Sequence, residues 1–343
     1  MIPTRRHVLL AAAASAALPL RARAQDAMTD AAGRPIAAPP SVARVFPAGP
    51  PAAITLYTLA PDLLMGWPRA IRPEEKPFLL PDIADRPEVG RLTGRGDTAN
   101  LEVVLAGRPD LILDIGSTAD TYISLADRVQ AQTGIPYALL DGRLDKAADT
   151  YRLLGRLVRR EREAEPLASY AETTLRTVRE RAAAVAPDKR PRTYYARGPR
   201  GLQTGLGGSI NVEALEMMGA RNVAGGQRGG LVNVSLEQVL AWDPQVIVTI
   251  DQDFARAVRT DPNWAGVAAV RTGRVHLSPK TPFGWVDFPP AVNRLIGLWW
   301  LGKILHPDLF PEDNKALARD FHARFYHVPV GDERLDHVLA GRD

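Results

Sequence analysis

The order of apolar and polar positions along the chain predicts two runs in which β-strands alternate with α-helices. The first run includes a helix over Pro51–Leu59 and strands near Leu111–Ile115 and Tyr137–Leu140. The second run extends from residue 193 to about residue 279. Such alternation is typical of a mostly parallel sheet covered by helices. The pattern therefore predicts an α/β protein.

Residues 145–186 separate these runs and have an almost wholly helical composition, rich in Ala, Leu, Arg and Glu. We expect this segment to be interrupted only at Gly155 and Pro166, because both residue types disfavour helix interiors. A helix beyond Pro166 runs about 30 Å at 1.5 Å per residue, which is enough to connect two lobes. Its apolar residues follow close to helical spacing, at Leu167, Tyr170, Ala171, Leu175, Val178 and Ala182. The chain from residue 290 is also predicted to be mainly helical.

Two segments 135 positions apart are nearly alike. Residues 100–112 read NLEVVLAGRPDLI and residues 235–247 read SLEQVLAWDPQVI, with seven identical positions. Each has a polar helix cap, a Glu in the first turn, and a proline that precedes an apolar strand. The repeat predicts two similar lobes with equivalent glutamates, Glu102 and Glu237. Coincidence is the alternative, because this order of elements is common in α/β proteins.

The first residues predict export from the cytoplasm. Arg5 and Arg6 precede an apolar run over residues 11–20, and residues 22–24 read Ala-Arg-Ala, which fits a cleavage site before Gln25. We expect a twin-arginine signal over residues 1–24 and a periplasmic location; a Sec signal is the alternative. The apolar run is shorter than the roughly 20 residues of a membrane span. Because the chain has no Cys, it has no disulfide, thiolate ligand or lipoprotein attachment site.

The charge balance argues against a nucleic-acid partner. The chain has 43 basic and 39 acidic residues, and residues 1–24 hold four arginines and no acid. The remaining 39 basic residues equal the acidic ones in number. Proteins that bind nucleic acid usually carry a basic excess.

Several features together resemble one family of transport proteins. They are the Thr29–Pro35 turn, the two Glu-bearing repeats, Gly207–Asn211 with Leu215–Asn222, the long helix, and Phe283–Trp285. The mature chain is similar to periplasmic substrate-binding proteins that serve iron–siderophore, haem and cobalamin ABC importers. The resemblance implies two Rossmann-like α/β lobes with mostly parallel sheets, one connecting helix, and a ligand cleft between the lobes. It divides the chain into a signal peptide (1–24), an N-terminal lobe (25–144), a helical segment (145–186) and a C-terminal lobe with a helical tail (187–343).

The resemblance also implies a partner for the repeated glutamates. In the family, one Glu on each lobe pairs with arginines of the membrane permease. Glu102 and Glu237 occupy the matching positions, so the expected partners are an ABC permease and its ATPase. The alternative is that each Glu only complements its helix dipole, a contribution of about 0.3–1 kcal/mol.

Loops at the ends of strands are expected to line the ligand cleft. Arginines there would hold oxyanions through paired hydrogen bonds, and aromatic rings would form flat walls. Core packing is the alternative for Tyr57 and Trp67, and a solvated charge is the alternative for Arg197. The candidate residues are Tyr57, Trp67, Arg95, Ser117, Tyr195, Arg197, Arg228, Phe283 and Trp285.

The expected ligand is a metal chelate, and the iron–siderophore type is the first expectation. An oxyanion such as molybdate or tungstate is one alternative, and haem or cobalamin, with Tyr57 or Tyr195 as an axial ligand to haem, is another. No His cluster has metal-ligand spacing, and the glycine-rich segment 201–209 lacks the third glycine of a dinucleotide loop. We therefore predict no bare metal site, no resident cofactor and a monomeric protein.

An exported α/β cofactor enzyme is the alternative of another class. Asp251 and Asp253 are the nearest carboxylate pair, but the chain has no Gly-x-Ser-x-Gly or His-Glu-x-x-His motif. We therefore predict a binding protein that is not an enzyme.

Overall fold

A computed structural model describes residues 28–37, 39–94 and 101–341. The predicted signal peptide, Arg95 and Asn100 lie outside the described residues. The fold is α/β, with two lobes of mostly parallel strands joined by a long helix, as the sequence predicted. Within the described ranges, no helix combines the length and apolarity that a membrane span needs.

The N-terminal lobe is built on a three-stranded parallel sheet whose central strand, β4, is flanked by β3 and β5. An antiparallel pair, β1 and β2, precedes this sheet and encloses the predicted turn. The strands are β1 (Met28–Thr29), β2 (Pro35–Ile36), β3 (Val45–Pro47), β4 (Leu111–Gly116) and β5 (Tyr137–Asp141). The helices are α1 (Pro50–Leu59), α2 (Pro81–Ala84), α3 (Leu101–Gly107) and α4 (Asp120–Thr133).

Two helices, α5 (Ala147–Val158) and α6 (Glu161–Ala183), follow the N-terminal lobe. The predicted interruptions at Gly155 and Pro166 are wrong, because α5 continues through Gly155 and α6 through Pro166. A Cβ on Gly155 would lie 2.6 Å from the Cβ of Ala164, so this glycine allows the two helices to approach closely. Pro166 is the sixth residue of α6 and removes one backbone hydrogen bond, because its nitrogen has no hydrogen to donate to the Arg162 carbonyl. The chain instead turns at Arg159, whose φ is 56°.

Helix α6 has 23 residues and is therefore about 35 Å long. It packs against α1 of the N-terminal lobe and against helices of the second lobe. Its position confirms the predicted connecting helix.

The second lobe has a parallel sheet in the order β11-β10-β6-β8 and a small antiparallel ribbon of β7 and β9. The strands are β6 (Arg192–Ala196), β7 (Gln203–Gly205), β8 (Arg221–Asn222), β9 (Leu231–Asn233), β10 (Val246–Thr249) and β11 (Val275–Leu277). The helices are α7 (Glu213–Met217), α8 (Leu236–Trp242), α9 (Gln252–Ala257) and α10 (Ala268–Arg271).

The remaining chain is mainly helical, as predicted, and returns to the first lobe. It forms α11 (Arg294–Leu305), α12 (Asn314–Phe325) and α13 (Asp332–Leu339). The Tyr57 hydroxyl donates to the Tyr326 carbonyl at 2.7 Å. The Phe78 ring lies 5.5 Å from that of His322. The tail therefore shares one apolar core with the N-terminal lobe.

The sequence repeat is also a structural repeat. Helices α3 and α8 have seven residues each, and each leads into the strand at a central position of its sheet, β4 or β10. The residue before the proline has a left-handed backbone in both copies, with φ of 47° at Arg108 and 40° at Asp243. The two copies therefore have the same helix–turn–strand geometry, and coincidence does not explain it.

Candidate ligand site and exposed repeat helices

The lobes meet where the carboxyl end of β5 faces α7 and α11. The buried guanidinium of Arg294 donates through Nη2 to the Gly142 carbonyl at 2.7 Å and through Nη1 to Glu213 at 2.8 Å. Glu213 also accepts from the Leu144 backbone N–H at 2.9 Å. Burial lowers the pKa of Arg294, and the negative charge of Glu213 opposes that change. These contacts hold the strand end of the first lobe against the second.

Asp287 joins three polar side chains at the carboxyl end of β6. Its Oδ2 accepts from the Tyr195 hydroxyl at 2.8 Å and from Arg197 Nη1 at 2.7 Å. Its Oδ1 accepts from Asn211 Nδ2 at 2.9 Å. Burial raises the pKa of Tyr195 well above its usual value, so this hydroxyl stays protonated and donates. We call Tyr195, Arg197, Asn211 and Asp287 the Asp287 cluster.

Arg197 has donors beyond this cluster. Its side chain is 10% exposed, and its remaining N–H groups have no hydrogen-bond partner among the described residues. Its guanidinium carbon lies 5.8 Å from the centre of the Phe288 ring. Phe288 is 69% exposed and has a φ of 57°, a backbone conformation that bulky residues rarely adopt. An unpaired guanidinium edge and an exposed ring therefore lie side by side.

Arg228 lies in the loop before β9, where it forms an isolated bridge with Gly207. It is exposed and has no ion pair within the described part of the chain. The φ of Gly208 is 73°, a conformation that favours glycine, and the Arg228 guanidinium lies directly over this residue. The glycine-rich segment thus forms a tight turn beneath a guanidinium.

Ser117 follows β4 and is exposed; its Oγ accepts from the Ala119 backbone N–H at 3.2 Å. It lies at the carboxyl edge of its sheet, as Arg197 does in the other lobe. The loop that holds Arg95 lies outside the described residues, so the role of Arg95 stays a prediction.

The other four candidates are buried aromatic residues. The Tyr57 hydroxyl accepts from the Leu80 N–H at 2.9 Å besides its bond to Tyr326. Trp67 Nε1 donates to the Ile83 carbonyl at 2.8 Å, and its ring lies 5.9 Å from that of Phe283. Trp285 is fully buried. These contacts favour the core-packing alternative for Tyr57 and Trp67 and extend it to Phe283 and Trp285.

The sequence did not identify Asp287, Asn211 or Phe288 as site residues. Asp287 lies two positions after Trp285, in the loop that the resemblance singled out. A carboxylate within an apolar loop was the available signal, because such a group is rarely buried without partners.

Neither a metal cluster nor a catalytic carboxylate pair emerges from the described residues. They contain no group of three or more His, Asp or Glu that could hold a metal ion. Burial lowers the pKa of His276 to about 4 and that of His322 to about 3. Asp251 caps α9 by accepting from the Phe254 N–H at 3.0 Å. The buried histidines and the helix-capping Asp251 are therefore explained by their structural roles.

The repeated glutamates lie in the first turns of α3 and α8, and both are exposed. Ser235 caps α8 through a capping box with Gln238. The Glu237 backbone N–H and the Ser235 hydroxyl lower the pKa of Glu237. Because each helix runs antiparallel to the strand that follows it, each Glu lies at the same end of its lobe as the carboxyl ends of the parallel strands.

Two cavities are present in the described structure. One of about 380 Å³ is lined by Arg179, Arg190 and Glu216, among others, and one of about 620 Å³ by Asn222 and Trp242, among others. The candidate ligand residues line neither of them.

Comparison with known proteins gives the chain a family. Residues 81–282 match the family described as periplasmic binding protein. The chain is 27% identical over 265 residues to the molybdate-binding protein MolA of Haemophilus influenzae, which covers 71% of this chain and 74% of that protein.

Solved structures agree in fold. An ABC transporter solute-binding protein from Sulfurospirillum deleyianum superposes with a TM-score of 0.83 at 28% identity, covering 91% of this chain and 98% of that one. Molybdate-bound MolA of Haemophilus influenzae superposes with a TM-score of 0.74 at 23% identity, covering 89% of this chain and 98% of that one.

Proposed function

Because the chain belongs to the periplasmic binding protein family and is the solute-binding component of an ABC transporter, we propose that its ligand is a small oxyanion of the molybdate type. It is a periplasmic binding protein and not an enzyme, which excludes the exported cofactor enzyme. The observation that carries the proposal is the Arg197 guanidinium, which Asp287 holds through one nitrogen while its other donors have no described partner.

The charges at the cleft suit an anion. Asp287 neutralises Arg197, but Arg228 adds a positive charge with no ion pair within the described residues. A guanidinium presents several N–H groups in one plane and binds oxyanions through paired hydrogen bonds. Exposed Ser117, from the first lobe, adds a hydroxyl that can donate to the same anion.

The aromatic residues favour a small ligand. Tyr57, Trp67, Phe283 and Trp285 are at most 5% exposed, so they offer no wall to a large planar chelate. The relative of 27% identity is named as a molybdate-binding protein, and this name agrees with the charge argument.

An anionic metal chelate, such as an iron–siderophore, remains the second candidate. Phe288 favours it, because this ring is 69% exposed beside Arg197 and can pack against a chelate. The two candidates differ in size and in their dependence on this ring.

We further propose that Glu102 and Glu237 dock the loaded protein on its permease. Both are exposed at equivalent positions of the repeat. Charge pairs at the rim of an interface mainly set orientation and association rate. Neither glutamate belongs to the Asp287 cluster, so docking and ligand binding are separable.

Calorimetry of the purified protein tests the ligand. Molybdate and tungstate should bind saturably, and a ferric siderophore should not compete with them. Replacing Arg197 or Arg228 with Gln should weaken molybdate binding roughly ten- to a hundredfold, because a charge-assisted hydrogen bond contributes about 1.5–3 kcal/mol.

The matched control is Arg176→Gln, on the exposed side of α6, which should leave affinity unchanged. The metal chelate would replace the oxyanion as the ligand if two results were obtained. The parent protein would bind a ferric chelate but not molybdate, and Phe288→Ala would lose the binding of the chelate.

A further inference from the structure

The repeat contains identities that the fold does not require. Val104 and Val239 are buried under their sheets, and the two prolines end the helices. Three other identical pairs are exposed in both copies. They are Glu102, Leu105 and Ala106 in α3, and Glu237, Leu240 and Ala241 in α8. We call each set the Glu-Leu-Ala face.

The leucines of these faces are unusual among the apolar side chains. Leu105 is 45% exposed and Leu240 is 38% exposed. In the described part of the chain, the large hydrophobic residues that are exposed are Val103, Leu105, Tyr122, Leu240 and Phe288. Three of these five lie on two seven-residue helices. Scattered exposed apolar residues need no explanation, but a pair at equivalent positions does.

The members of each face lie on one side of their helix. Residues at i, i+3 and i+4 are neighbours on a helix surface. Each helix is also followed by a residue with a left-handed backbone, Arg108 or Asp243, and leads into an equivalent strand. Each lobe therefore presents a carboxylate, an apolar side chain and a small residue in the same arrangement.

We propose that Leu105 and Leu240 each enter an apolar socket of the permease, beside the cation that meets the Glu of the same face. The inference rests on the proposed transport function. Two equal faces on one chain match two equal subunits of a partner. The carboxylate requires a basic group in each subunit, the Leu requires an apolar surface, and the Ala allows that surface to come close to the helix.

The two parts of the face contribute differently. The Glu pair is screened by salt, because exposed charges interact weakly beyond about 8 Å at physiological ionic strength. Contact of an apolar side chain removes surface from water and does not depend on ionic screening. Leu105 and Leu240 therefore hold the complex at salt concentrations that weaken the Glu contacts.

The test measures binding of the full protein to its reconstituted permease–ATPase complex in nanodiscs, at low and high salt. The variant Leu105→Gln/Leu240→Gln should weaken binding roughly ten- to a hundredfold at both salt concentrations. The variant Glu102→Gln/Glu237→Gln should weaken it mainly at low salt. Affinity for molybdate and thermal stability should be unchanged in both.

The matched control is Val103→Gln. Val103 is 43% exposed on the same helix, but Gln238 stands at the equivalent position of the other copy. The symmetric interface therefore does not need an apolar residue there, and this variant should bind the permease like the parent protein.

Several results would overturn the inference. Permease binding that survives the Leu double change while the Glu double change abolishes it would make docking purely polar and leave the transport function intact. An equal loss in Val103→Gln would mean a general apolar contact without the repeat symmetry. A leucine-dependent dimer of the chain would assign the faces to a second copy. A parent protein that binds molybdate but no permease would refute the transport function itself.

Discussion

Asp287 accepts hydrogen bonds from Tyr195, Arg197 and Asn211 while its own side chain is 1% exposed. Its partners lie 76 to 92 positions away in sequence. The carboxylate therefore fixes where the guanidinium of Arg197 points. In the proposed ligand site, Asp287 orients the Arg197 guanidinium without itself touching the ligand.

Replacing Asp287 with Ala should lower the free energy of unfolding by about 3–5 kcal/mol, because it leaves the Arg197 charge largely buried without its partner. Urea denaturation measures the change. Glu165→Ala is the control, since it removes a carboxylate from the exposed pair with Arg152 and should matter little. A loss no larger than that of the control would mean that Asp287 does not hold Arg197.

The sequence predicted Tyr195 and Arg197 because they lie at the end of an apolar strand, where ligand-binding loops occur in α/β proteins. Asp287 and Phe288 have no such signal, since their loop has no periodicity and their partners are distant in sequence. Tyr57 and Trp67 had two interpretations, and only tertiary contacts favour core packing. The local pattern of apolar and polar residues does not show which side chains from distant segments pair with each other.

Helices and strands were predictable where periodicity was strong. The strands at Leu111–Gly116 and Tyr137–Asp141 begin where expected, and each runs one residue beyond the predicted end. The predicted interruptions at Gly155 and Pro166 failed, because packing of α5 on α6 requires a glycine and because the buried face of α6 offsets the one hydrogen bond that Pro166 removes. Packing thus overrode local helix propensity.

Helix α12 contributes a dependence of stability on pH. His322 is fully buried on this helix, and burial lowers its pKa to about 3. The unfolded chain takes up a proton near pH 6.5 and the folded chain does not, so stability is highest above about pH 6.5 and falls as the pH drops toward 3.

Between pH 7 and pH 5 the parent protein should lose about 2 kcal/mol through this group, at 1.36 kcal/mol for each pH unit below 6.5. His322→Phe should abolish this fall in the free energy of unfolding. The control is His337→Phe, which changes an exposed histidine and should leave the fall unchanged. Urea denaturation at both pH values checks this. An unchanged pH dependence in His322→Phe would show that His322 can be protonated in the folded state.

At the scale of the whole molecule, the two lobes are tied together at more than one place. Arg294 and Glu213 join the strand end of the first lobe to the second, and Tyr57 joins the first lobe to the tail. Long helix α6 spans both. Wide separation of the lobes would break these hydrogen bonds and expose the apolar core that the lobes share, so ligand entry should involve only small movements.

The two proposed tasks fall on different residues. The proposed ligand residues are the Asp287 cluster and Arg228, and the proposed docking residues lie on the exposed helices α3 and α8. The repeat was readable in sequence because it recurs at a fixed offset. The Asp287 cluster was predictable only in part, since Asp287 lies 76 to 92 positions from the residues that donate to it.

The location of a heavy oxyanion tests the central claim most directly. Crystals of the mature protein grown with molybdate should show an anomalous difference peak for molybdenum between the lobes. The peak should lie where the oxygen atoms of the anion accept hydrogen bonds from Arg197 and Arg228. At a molybdate concentration that just saturates the parent protein, the same peak should be much weaker in Arg197→Gln. Crystals with no peak between the lobes at saturating molybdate, or with the peak away from Arg197, would contradict the account.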